Sequence, residues 1–166
     1  MRAFLLFALL SISFLSFAQK NIQGFWHDSP NVGSGYGDYY AFYDNMNFTF
    51  STNSMDCDQR LESFSGVYSV DADTVYLHIR QIDIIIGGTI KEDVTSCYNG
   101  FYIEGGEHLS IETRKDYIRK YVFSISAFEL DGIELKKLII NGKTFYLLSK
   151  DPSVYTNEWA LRYSEQ

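Results

Sequence analysis

The sequence predicts an all-β protein, an antiparallel up-and-down β-barrel of about eight to ten strands behind a cleaved signal peptide. Three observations predict it. Apolar and polar residues alternate with period two through one segment after another. Turn-forming pairs such as Asp131-Gly132 and Asn141-Gly142 fall between those segments. The chain is also rich in aromatic residues, with 13 Tyr, 13 Phe and 2 Trp but only 2 Pro, a composition suited to sheet.

The N-terminus reads as a targeting segment. Arg2 precedes an apolar run from Ala3 to Phe17, and Ser16-Phe17-Ala18 offers small residues at the positions a signal peptidase reads. The run is short for a membrane span, which needs roughly 18 or more apolar residues. No cysteine follows it that could carry a lipid. Residues 1–18 are thus expected to be removed before Gln19, leaving no membrane anchor. Residues 19–166 are expected to form one domain, secreted or periplasmic and monomeric.

The mature chain has 148 residues, enough for a single core. Loss of Arg2 leaves 13 basic residues against 21 acidic ones, a net charge of −8. Such a chain repels phosphate backbones, so no nucleic-acid partner is expected. A neutral ligand or a basic protein partner remains compatible.

Along the chain, strands are expected near 22–28, 37–44, 47–52, 63–70, 74–82, 84–94, 107–113, 119–130, 133–140 and 143–149. In "SFSGVYSV", Phe64, Gly66, Tyr68 and Val70 share one face. In "TVYLHIR", Val75, Leu77 and Ile79 do so, and in "YVFSISAF" Tyr121, Phe123, Ile125 and Ala127. The two Gly-containing turns make residues 121–149 a three-stranded meander. Asp44-Asn45 and Asp71-Ala72-Asp73 are expected to turn the earlier strands. A short helical turn is expected within 53–62, and the tail around 154–163 fits helix or a last strand. So many sequential strands must close on themselves to hide their edges.

Cys57 and Cys97 are the two cysteines. In an exported chain such a pair is expected to be oxidised. The histidines, His27, His78 and His108, are scattered without ligand spacing, so neither a metal nor a cofactor is expected. Asp56 and Asp58 flank a cysteine, while Glu104 and Glu107 flank Gly105-Gly106, taken as a turn; all four read as solvated loop charges. No nucleophile or acid–base constellation appears, so no catalytic residue is assigned. "VGSGYG" precedes a strand rather than a helix and fails as a dinucleotide loop. It reads instead as a flexible loop at a barrel mouth. Asn47-Phe48-Thr49 has the form of a glycosylation sequon inside a strand. "RKDYIRKY", Arg114 to Tyr121, reads as a solvated hairpin end.

Gly24-Phe25-Trp26, close behind the signal segment, resembles the Gly-x-Trp opening of lipocalin-like (calycin-type) proteins. The chain length, the meander and the paired cysteines are similar to that group. The resemblance implies that Trp26 seals one end of a barrel against a late arginine, for which Arg162 in "EWALRY" is the candidate. A midway Thr-Asp-x-Tyr-like signature is not found; "DADTVY" is a loose echo.

Two functional readings follow, neither catalytic. One is a carrier of a small apolar or aromatic ligand, with Tyr36, Tyr39, Phe42, Tyr68 and Phe123 as candidate ligand-binding residues near a mouth at Gly33–Gly37. The other is an inhibitor- or immunity-type module that docks a basic protein. A filled interior favours the second and an open apolar cavity the first.

Overall fold

A computed structural model of the chain describes residues 21–30, 37–92, 97 and 99–153, without the side chains of 114–116. Eight strands are described: β1 (Gly24–His27), β2 (Tyr39–Phe42), β3 (Asn47–Ser51), β4 (Leu61–Asp71), β5 (Thr74–Glu92), β6 (Phe101–Leu130), β7 (Ile133–Ile140) and β8 (Lys143–Ser149). Each pairs antiparallel with its neighbour in sequence, and β1 pairs with β8, so the sheet is ringed.

The turns explain the order. Asp131 and Gly132 have φ of 50° and 80°, and Asn141 and Gly142 have 51° and 74°. Two successive left-handed residues give the turn whose twist matches that of flanking strands. Met46 and Ala72, with φ of 63° and 55°, turn the two earlier hairpins.

Alternation sets the core. Tyr40, Phe42, Phe48, Phe50, Tyr68, Val75, Leu77, Phe123, Leu138, Ile140 and Phe145 are buried in one cluster with Trp26. Trp26 is 1% exposed, and its indole N–H donates to the Ile22 carbonyl at 2.7 Å, which satisfies its one polar atom. Gly24, two residues earlier, has φ of +127°, and a Cβ there would meet Leu147 Cδ1 at 2.5 Å and the Ser149 carbonyl at 2.6 Å. Glycine thus lets β1 lie tight against β8 where the ring closes.

Several sequence expectations need correction. The expected strands at 74–82 and 84–94 are one strand, β5, in which a bulge between Ile79 and Gln81 replaces the break. Asp83 does not interrupt it, because the Ser63 and Ser110 hydroxyls on the same face donate to its carboxylate. The segments at 107–113 and 119–130 likewise belong to β6, which begins at Phe101. Gly105-Gly106 is not a turn but lies inside β6, where Gly106 pairs with Gly87. Arg114 to Tyr121 falls in the middle of β6 rather than at a hairpin end. Residues 53–62 contain turns and no helix. The signal segment, most of the glycine loop with Tyr36, and the tail with Arg162 lie outside the described residues.

Candidate functional site

The ring is lopsided. β4 pairs with β5 only as far as the Leu61–Ile84 partnership, and β7 pairs with β6 only from Phe123 onward. β5 and β6 run on as a two-stranded arm, paired from Ile85–His108 out to Glu92–Phe101. The glycines bend this arm. Gly87, Gly88 and Gly105 have φ of +64°, +66° and +70°. A Cβ on Gly88 would meet Ile103 Cγ2 at 2.6 Å and the Gly106 nitrogen at 2.8 Å, so the two chains touch closely at the bend. Glycine takes these angles at the least steric cost.

The arm is tied to the loop between β3 and β4. Cys57 and Cys97 are joined as a disulfide, with Cα atoms 5.7 Å apart. The Ile103 N–H donates to the Cys57 carbonyl at 3.2 Å. Arg60 donates to the carbonyls of Ile85 and Gly87 at 3.3 and 2.6 Å. Between loop and arm lies a cleft of about 260 Å³ lined by Thr52, Asn53, Cys57, Leu61 and Ile85 among others.

The arm and the adjoining part of the sheet have two unlike faces. Phe64, Ile82 and Ile111 form one cross-strand row, and Leu61, Ile84 and Leu109 form the next. Phe64 and Ile82 pack against the core, so these rows continue its inward face past the rim. Leu61, Ile86, Leu109 and Ile111 are 36–39% exposed, unusual for four large aliphatics so close together. The reverse face carries Ser63, Asp83 and Ser110, with Gln81 also donating to Asp83 at 3.0 Å. Hydrogen bonds from Ser110, then Ser63, hold the Asp83 carboxyl below its ordinary range. His108 pairs with Glu62 at 2.9 Å across the same region.

The interior is occupied by side chains. Tyr40 packs at a tilt against Phe50 with centroids 4.7 Å apart and meets Phe145 edge-on at 5.1 Å. Phe50 stacks on Phe64 at 4.7 Å, and Phe42 meets Tyr68 edge-on at 5.0 Å. These separations are those of rings in direct contact. Burial drives the Tyr40 hydroxyl pKa strongly upward.

A polar cluster joins three elements beside the ring. Asp38 accepts from the Asn53 N–H at 3.0 Å and from Lys143 Nζ at 2.8 Å, while its own N–H donates to Asp28 at 3.0 Å. The hydrogen bond with Asp38 raises the Lys143 pKa. His27 is 2% exposed; its Nδ1 accepts from the Ser29 N–H, and Nε2 has no partner among the described residues.

Of the residues expected to bind a ligand, Phe42, Tyr68 and Phe123 sit in the core, spent on packing. Tyr39 is on the other face of β2, its ring 5.0 Å from that of Phe25. The Tyr68 hydroxyl donates to the Tyr43 carbonyl at 3.0 Å, facing the end away from the arm. The sequence reading missed the apolar face of the arm. Its signal was present in "IDIIIGG", where Ile82, Ile84 and Ile86 recur at period two. The charge of Asp83 masked it by suggesting a break. Among the described residues no group of three metal-ligating side chains occurs, and no helix is long and apolar enough to cross a membrane. The disulfide is compatible with an extracellular location. Comparison with protein-family models, with curated proteins and with solved structures found no match.

Proposed function

We propose that the chain is an exported, non-catalytic binding module with a closed lipocalin-like barrel, which docks a basic protein partner rather than carrying a small ligand inside. One observation supports this above the others. The interior rings pack directly against one another, while large aliphatics stand exposed on the arm. A barrel of about eight strands has room for its own side chains or for one small ligand, and here the side chains take that space. Exposed apolar surface bordered by charge is the composition of a protein-docking patch. The acidic mature chain adds long-range attraction for a basic partner. In this reading the first 18 residues are removed on export, and Trp26 seals one end of the barrel.

Native mass spectrometry of the protein purified from its own host, side by side with Leu109→Glu, tests the reading. The expected result is a complex with a basic polypeptide that weakens with salt and is lost in Leu109→Glu. A retained small apolar molecule, present equally in both forms, would return the carrier reading to first place.

A further inference from the structure

Beyond a docking face, the arm presents an unpaired strand edge. β7 leaves β6 at Phe123, so among the described residues no strand covers the second side of β6 before that point. Two features bracket the open stretch. Toward the tip, the Ile103 N–H is taken by the Cys57 carbonyl. Toward the ring, register jumps between Glu112 and Tyr117, whose partners are Gln81 and Ile79, so β6 bulges there. Bulges end strand pairing. What remains is Glu107 to Glu112, about the length of an ordinary strand.

The direction of its polar groups can be worked out. The Ile85 N–H donates to the Arg60 carbonyl, away from β6. In an antiparallel ladder the residue opposite one that turns away also turns away. His108 is opposite Ile85, and the register runs without a break through Asp83–Ser110 to Gln81–Glu112. His108, Ser110 and Glu112 therefore point their backbone N–H and C=O groups at the open edge. Such a row is a template for another strand unless it is blocked. Neither proline nor lysine, the usual blockers, occurs between Glu107 and Glu112.

Charge selects the partner. Within 81–92 and 101–112 the charged side chains are Asp83, Glu92, Glu104, Glu107 and Glu112 against Lys91 alone. A second copy is disfavoured, because antiparallel self-pairing about His108 would set Glu104 against Glu112. A basic strand is favoured. Its residues beside Leu109 and Ile111 would meet the apolar face, and those beside Ser110 and Glu112 the acidic one.

Resting on the protein-binding reading, we infer that β6 between Glu107 and Glu112 receives an extended segment of the partner as an added strand, with apolar and basic residues alternating along it.

The probe is a peptide of about eight residues alternating Lys and Val, close to ordinary strand length, beside a Glu/Val control and a Lys/Val version N-methylated at alternate residues. The expected result is binding of the Lys/Val peptide only, with amide exchange at His108, Ser110 and Glu112 slowed about tenfold or more. His108→Pro removes one edge donor, and proline is tolerated where the N–H faces outward. This variant should keep its melting temperature within a few degrees yet weaken peptide binding at least about tenfold. Binding that survives both N-methylation and His108→Pro but fails in Leu109→Glu would overturn edge pairing while leaving face-to-face protein docking intact. Equal binding of the Glu/Val peptide, or no binding of any peptide, would also overturn it; the protein-binding reading is decided separately by the native complex.

Discussion

The body of the ring and the arm obey the same alternation and meet opposite fates. In the body, Val75 and Leu77 on β5 have strands on both sides and are fully buried. Further along the same strand, Ile86 and Ile90 have, among the described residues, β6 alone beside them and are 39% and 52% exposed. The difference is not hydrophobicity but the number of neighbouring strands. A two-stranded ribbon has too little surface to bury either face. The arm keeps its shape by other means: the disulfide, the Arg60 hydrogen bonds and the glycine bend.

That contrast can be broken most strongly in the body. Trp26→Ala should lower unfolding free energy by about 3–5 kcal/mol, as a large-to-small change in a filled core. Ile86→Ser on the arm should cost less than about 1 kcal/mol. Urea unfolding of both variants makes the comparison, and equal losses would mean the arm is as integral as the core.

The disulfide comes next. Replacing both Cys57 and Cys97 by Ser removes a 40-residue closure, worth on the order of 3–4 kcal/mol in the chain-entropy account. Native-state amide exchange should then rise first along 85–92 and 101–108, with 39–50 following only the global loss. A uniform rise would show that the bridge braces the body equally.

Within the arm, two adjacent glycines separate backbone strain from collision. Gly87→Ala places its Cβ in open space, whereas Gly88→Ala drives it against Ile103 and Gly106. Both incur the left-handed penalty of roughly 1–2 kcal/mol, and Gly88→Ala should exceed Gly87→Ala by about 1 kcal/mol or more. Matching melting temperatures would show that the bend yields.

The smallest effect is a pH dependence. The Asp83 carboxyl is lowered in the folded state, so its contribution is complete above the ordinary carboxylate range and fades as pH falls through the lowered value. Asp83→Asn should raise amide exchange of the arm slightly at neutral pH, where the contribution is complete, and converge with the parent on the acid side, below about pH 4. An unaltered profile would mean that Ser110 and Ser63 do not hold the charge.

The body was legible in the sequence because its signals were local. Asp131-Gly132 and Asn141-Gly142 named their own turns, and the inward sets on β4, β5 and β6 could be counted off at period two. The arm was not, since its strand lengths depend on distant partners. Asp83 looked like a break until Ser63 and Ser110 were brought beside it, and Gly105-Gly106 looked like a turn until Gly87 was found opposite. The sequence placed Phe42, Tyr68 and Phe123 in a pocket for the same reason. Alternation says which side chains point inward, but only packing says whether anything is left between them.

Whether recognition lies on the arm or inside the ring is decided by an apolar fluorescent dye on Trp159→Phe, in which Trp26 is the sole tryptophan. Any saturable dye signal should disappear in Ile84→Glu with Leu109→Glu, and Trp26 emission should be left unquenched at saturation. One-site binding that quenches Trp26 and persists in that double variant would place the ligand in the interior and contradict recognition on the arm.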